Sequence, residues 1–209
     1  MIKYFYIVFL VVSIGAVTAQ ETALSKAEIV AFKENVKVVS TKTKTIESSF
    51  TQYKHLEFLS DDIKTLGKMM YKSPNLVKWT YTDPFKYSVI FKKDKILINN
   101  EGKKSDVNIG SSELFKKLNQ LIVNSISGNM FNNNEFEISY HKTDGYYRVN
   151  FLFKDKDINT YIKQFVLKFN KKNYRVFEVK MIEPSDDYTQ IIFDDQKVNQ
   201  PIKDEVFTN

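Results

Sequence analysis

Thr143-Asp144-Gly145 leading into Tyr146-Tyr147-Arg148-Val149-Asn150-Phe151-Leu152-Phe153, and Gln164-Phe165-Val166-Leu167-Lys168-Phe169 running into Asn170-Lys171-Lys172-Asn173, decide the fold. Both runs are short and rich in β-branched and aromatic residues. Large apolar groups recur at one parity and sometimes at both, which is the pattern of strands. Asp144-Gly145 is a two-residue hairpin signal and predicts positive φ at both central positions. The polar stretch 170–173 closes a second hairpin. Strands joined by links this short are antiparallel.

Working outward, the same pattern predicts strands over 48–58, 64–72, 76–82, 86–92, 95–99, 135–142, 146–154, 162–170, 174–183 and 188–194. Two segments depart from it. Ser25-Lys26-Ala27-Glu28 is a capping-box pattern followed by Ile29, Phe32, Val36 and Val39 at helical spacing, predicting a helix over about 25–41. Between Ser111 and Ser127, Leu114, Leu118, Leu121, Ile122 and Ile126 mark one face of a second helix, ended by Ser127-Gly128-Asn129. Asn132-Asn133-Asn134 reads as a loop. No repeat, low-complexity tract or linker divides the chain, so residues 20–209 are expected to form one domain.

The composition has one unusual feature. Of 209 residues, 12 are Tyr, 17 Phe and 1 Trp, against 6 Gly and 4 Pro, so many rings must be buried or face something apolar. A long antiparallel sheet with two or three helices has too little helix to cover it. A curled sheet with its concave face lined by Phe, Tyr, Ile and Val would use the excess rings. A filled sandwich core of the same composition fits the pattern equally well. The absence of Cys excludes disulfides, thiol chemistry and a lipid-modified N-terminal Cys.

Met1-Ile2-Lys3, an apolar run from Tyr4 to Ile14, and the small-x-small end Val17-Thr18-Ala19 have the shape of a secretory signal cut near Ala19. The run falls short of the roughly 20 residues that cross a bilayer. Removing 1–19 takes away Lys3 and lowers the net charge of +6 by one. With no Cys after the signal, the expected product is released rather than anchored, in the periplasm.

No catalytic or metal-binding constellation is visible. His55 and His141 lie on separate predicted strands outside any ligand spacing, and Asp61-Asp62, Asp186-Asp187 and Asp194-Asp195 fall near strand ends, where solvated turns are the ordinary explanation. No Gly-x-Ser-x-Gly, phosphate-binding or dinucleotide fingerprint occurs. The chain is therefore read as no enzyme and without cofactor or metal. The lysine pairs Lys92-Lys93, Lys103-Lys104, Lys116-Lys117 and Lys171-Lys172 are scattered among acids, a solvated surface rather than a nucleic-acid footprint. A weak, transient contact with anionic lipid headgroups fits them.

Ser49-Phe50-Thr51-Gln52, Gly67-Lys68-Met69-Met70-Tyr71, Pro74-Asn75-Leu76-Val77-Lys78-Trp79-Thr80-Tyr81 and Asp83-Pro84 together resemble the conserved run of the LolA family of periplasmic outer-membrane lipoprotein carriers. Ile162-Lys163-Gln164-Phe165 and the strands at 174–194 follow the same layout, so the resemblance covers about 45–195. It implies a mainly β fold, an incomplete antiparallel β-barrel covered by a lid of two or three α-helices around an apolar cavity for acyl chains. It implies no catalytic site. The implied partners are lipoproteins, an ATP-driven extractor at the inner membrane and a receptor at the outer membrane, served by a monomer. By position, Phe50, Val77 and Trp79 would line the cavity, period-2 extension adds Tyr81, and Leu118, Leu121 and Ile122 would form the inner face of the lid. Family members commonly carry Arg just before Pro-Asn-Leu as a lid latch. Here that position is Ser73, a departure from the family, so the lid is expected to be held mainly by apolar contact.

Two other functions fit the same residues: a carrier or sensor of other lipids on this fold, and a secreted structural β domain with a filled core.

Overall fold

Residues 21–92, 95–108, 123–124 and 128–208 are described in the computed structural model. Twelve strands account for most of them: β1 (Thr22–Ala23), β2 (Thr45–His55), β3 (Ile63–Lys72), β4 (Leu76–Asp83), β5 (Tyr87–Lys92), β6 (Lys95–Asn100), β7 (Lys103–Asn108), β8 (Phe136–Lys142), β9 (Tyr146–Phe153), β10 (Gln164–Asn170), β11 (Val176–Ile182) and β12 (Tyr188–Val198). They form one sheet in the order β1-β8-β9-β10-β11-β12-β2-β3-β4-β5-β6-β7. Every neighbouring pair is antiparallel. The strands β1 and β7 end the sheet without pairing to each other, so it curls but does not close. The described helices are α1 (Lys26–Lys42) and α2 (Lys156–Asn159), with a closing 3-10 turn at Asp204–Phe207.

The capping box forms as its residues predict. Ser25 N–H donates to Glu28 Oε2 at 2.9 Å, and Glu28 N–H donates back to Ser25 Oγ at 3.4 Å. From that start α1 lays Phe32 and Val36 onto the concave face of β8–β11, inside a cluster with Tyr140, Val149, Phe151, Leu167 and Phe169. Glu28 also pairs with Lys142 of β8, tying the first turn of α1 to the sheet.

That pair, with the hydrogen bonds that Ser25 N–H and the Ser25 hydroxyl (2.8 Å) both donate to Glu28 Oε2, holds the Glu28 carboxyl at about 2, below its ordinary value of 4.5. A carboxyl depressed in the folded state adds stability that is fully present above its unfolded value and is lost as pH falls through the folded one. Glu28→Gln is therefore expected to flatten the loss of stability between about pH 4.5 and 2. Urea melts of both proteins across this range check it, and equal slopes would refute it.

The ten predicted strands and the first helix are present with shifted ends. The strand β2 begins at Thr45 rather than 48, and β12 continues to Val198 rather than ending at 194. Two strands went unforeseen. The first is the two-residue β1. The second, β7, reads Lys-Lys-Ser-Asp-Val-Asn, because an edge strand needs no apolar face and polar residues there deter further pairing. The turn before it, Glu101-Gly102, takes positive φ at both positions, 49° and 92°. Such geometry had been expected at Asp144-Gly145, where neither residue adopts it. There Thr143 N–H donates to Tyr146 O at 3.0 Å, and the Thr143 hydroxyl accepts from the N–H groups of Gly145 and Tyr146, each at 3.2 Å, in place of the Thr143 carbonyl.

Outside the sheet, residues 202–207 form a strap on the convex side of β3 and β4. Lys72 Nζ donates to Ile202 O at 2.8 Å, Lys78 Nζ donates to Val206 O at 3.0 Å, and Phe207 is buried. The predicted helix over 111–127 lies outside the described residues except for Val123 and Asn124, which are helical.

Candidate functional site: the inner wall of the curled sheet

Alternation along β2 sends Ile46, Ser48, Phe50, Gln52 and Lys54 to one face of the sheet. Register carries that face across β3 and β4 in rows: Ile46, Tyr71, Val77; Ser48, Met69, Trp79; Phe50, Gly67, Tyr81. On the other side Phe50 pairs with Phe193 and Gln52 with Ile191 of β12. Phe50 packs edge-on to Trp79 and Tyr81 at ring distances of 5.1 and 5.3 Å, and Trp79 meets Phe193 at 5.8 Å. Val123 is buried in the same cluster. The predicted wall residues Phe50, Val77, Trp79 and Tyr81 are thus brought together on the concave face.

They do not share one environment. Val77 is 0% exposed, Phe50 2% and Trp79 7%, while Tyr81 is half-buried. Burial, with Tyr87 nearby, raises the Tyr81 hydroxyl above its ordinary value, so it stays a neutral hydrogen-bond donor. Its O–H donates to Gln52 Oε1 at 3.2 Å. Met69, Ile191, Phe193 and Gln52 belong to the wall and were missed. Alternation within the predicted strand 188–194 would have placed Ile191 with Phe193, but which of its faces turns inward is set by pairing with β2.

Burial along the wall is graded. At one end Ile46, Tyr71 and Val77 are buried; at the other Ile63, which pairs with Lys54, and the last residues of β4 are exposed. The loops 56–62, 84–86 and 183–187 stand at this open end, where Phe58 and Phe85 are exposed. The strand β12 lies sixth of twelve in the sheet, yet none of its residues is buried. A strand in the middle of a filled sandwich buries one face. Here Ile191 and Phe193 remain partly exposed on the concave side, between the α1-covered half and the Val123 half.

Leu118, Leu121 and Ile122, the expected inner face of the lid, lie outside the described residues. Ser73, at the expected latch position, sits in the β3–β4 turn at the closed end, where its N–H donates to Lys44 O at 2.8 Å. His55 stacks on Tyr188 at 4.7 Å and its Nδ1 lies 2.7 Å from Asp62 Oδ1, in the register row facing away from the wall. Among the described residues no group of three His, Cys, Asp or Glu is placed to hold a metal ion. Among them, too, no helix is long and apolar enough to cross a membrane.

Curated proteins give no match to the sequence. In fold the chain is similar to an uncharacterized conserved protein from Thermus thermophilus, with a TM-score of 0.53 at 4% identity over 86% of this chain and 92% of that one. A putative outer membrane lipoprotein-sorting protein domain from Vibrio parahaemolyticus aligns with a TM-score of 0.48 at 8% identity, over 85% and 94%. A LolA superfamily protein from Nitrosomonas europaea aligns at 0.46 and 9%, over 86% and 96%. The sequence itself matches the family described as outer membrane lipoprotein carrier protein LolA over residues 41–209, from the end of α1 through every strand of the wall. With that match over most of its length and an unclosed antiparallel sheet of twelve strands, the chain belongs to the LolA family.

Proposed function

We propose that this protein is a periplasmic carrier that shields the acyl chains of lipoproteins against the concave wall and moves them from the inner to the outer membrane. The observation that carries this reading is β12, a central strand with an apolar concave side and no buried residue. Each CH₂ withdrawn from water is worth roughly 0.8 kcal/mol, so acyl chains need such a wall to cross an aqueous space. Aromatic side chains give large apolar contact with little directional demand, which suits cargo of varied protein sequence. An extractor at the inner membrane and a receptor at the outer membrane are the partners this role requires. Residues 1–19 are read as the export signal.

The test is release of a labelled lipoprotein from spheroplasts with and without the purified protein. Release supports the reading; failure to release any lipoprotein sinks it. A carrier of other lipids is the second reading, favoured by Ser73, which removes the charged latch of the family. Mass spectrometry of bound lipid, recovered alongside failed lipoprotein release, would select it.

Phe193 is the better place to block the wall. Val77 has no exposure, so a Glu there strands a charge in packed surroundings and unfolds the chain. Phe193 is half-buried, so Phe193→Glu is expected to keep the fold and lower co-purifying lipid at least tenfold. Unchanged lipid content in a folded variant would remove β12 from the site.

A further inference from the structure

The wall changes chemistry along β2. From the closed end outward its inward residues are Ile46, Ser48, Phe50, Gln52 and Lys54, with strand geometry setting about 7 Å between successive members. Up to Phe50 the surroundings are apolar. One step further, Gln52 Oε1 accepts the Tyr81 hydroxyl at 3.2 Å, which fixes the amide with its Nε2 donors turned the other way. Among the described residues nothing accepts from that Nε2. Another step outward Lys54 is paired with Glu183, so the lip carries no net charge of its own at this point.

We propose that this gradient orients the ligand: acyl tails point toward Phe50, Trp79 and Val77, and the ester or amide carbonyls at their head accept hydrogen bonds from the Gln52 amide. This rests on the carrier reading and adds which end of the ligand lies where and what recognises it. A half-buried neutral donor beside a satisfied ion pair suits an uncharged carbonyl. A free carboxylate or phosphate would meet Glu183 and lacks an unpaired cation at this row. Gln52 selects for acylated ligands over plain hydrocarbon, while the apolar wall supplies the affinity.

The test uses delipidated protein with dioleoylglycerol, which has two ester carbonyls, and its diether analogue, which has none. Trp79 is the only tryptophan and lies on the wall, so its fluorescence reads binding. The native protein is expected to prefer the ester probe about fivefold, the worth of one hydrogen bond. Gln52→Met, apolar and of similar size, is expected to bind both probes alike. If that variant fails to fold by circular dichroism, Gln52→Leu, which also lacks the amide donor, takes its place with the same expected loss of preference. Equal binding of both probes by the native protein overturns this inference and leaves the carrier reading standing. A preference that survives in the folded variant does the same. Binding of neither probe overturns both.

Discussion

Phe32→Ala is expected to lower stability by about 3–5 kcal/mol, the range for removing a large ring from a packed core. Phe32 is 2% exposed and is the point where α1 meets the sheet. Its ring lies 4.9 Å from Tyr147, 5.1 Å from Phe169 and 5.8 Å from Phe131, and these come from β9, from β10 and from the segment before β8. One deletion therefore opens a void against three separate parts of the chain, two of which, β9 and β10, cannot collapse inward without disturbing their pairing. A domain has about 5–15 kcal/mol in all, so the loss is a large share. Urea denaturation followed by circular dichroism measures it. A loss below about 1 kcal/mol would mean that α1 contributes little to holding the sheet.

Gly67→Ala is expected to cost about 3 kcal/mol, the upper part of the range for an added group in a full space. A Cβ at this position would stand 2.4 Å from Phe50 Cζ and 2.4 Å from the backbone oxygen of Thr80. The Phe50 ring can turn aside, but the Thr80 carbonyl belongs to β4 and cannot move without disturbing the register beside the irregularity at Leu66/Gly67. Gly67 is thus the gap over which Phe50 lies, and filling it pushes that ring into the wall. Two readouts follow: a lower urea midpoint, and a changed Trp79 emission, since Trp79 packs edge-on to Phe50 at 5.1 Å. A variant as stable as the native protein, with unaltered emission, would show that the β3–β4 pairing yields freely.

Much of the fold is legible in local signals, and the reasons are physical. Ser25 and Glu28 form their cap within one turn of chain, so spacing alone predicts it. Alternation in 146–154 and 162–170 reports burial of one strand face, which each strand shows by itself. The failures share a cause. The strand β7 has no apolar face to report, being an edge, and its existence follows from the Glu101-Gly102 turn and the presence of β6 beside it. At the Asp144-Gly145 turn the Tyr146 N–H goes to the Thr143 hydroxyl, a choice between a backbone and a side-chain acceptor that dipeptide preference does not register. The strap at 202–207 stays on the convex face through backbone oxygens that accept from Lys72 and Lys78, and a carbonyl has no sequence signature.

The candidate site divides in the same way. Phe50, Val77, Trp79 and Tyr81 were found by resemblance and alternation, and all lie on the concave face. That Val77 is sealed while Tyr81 is half open was not legible, nor was the role of Phe193 or Gln52. Burial at these positions depends on β12 meeting β2 across most of the chain's length, and on how far the sheet curls.

By itself the sequence determined the local and periodic features: a capped first helix, antiparallel strands, an excess of rings that had to be buried or face something apolar, and a family pattern from Phe50 to Tyr81. These depend on neighbours in the chain, whose spacing is written in the residue order. Only the tertiary structure decided that the sheet curls without closing, that its middle strand keeps an apolar face partly open, and that the wall runs from sealed Val77 to a polar lip at Gln52 and Lys54. Those properties arise where residues distant in sequence share a row across the sheet, and register between distant strands is set by the packing of the whole sheet rather than by any segment of it.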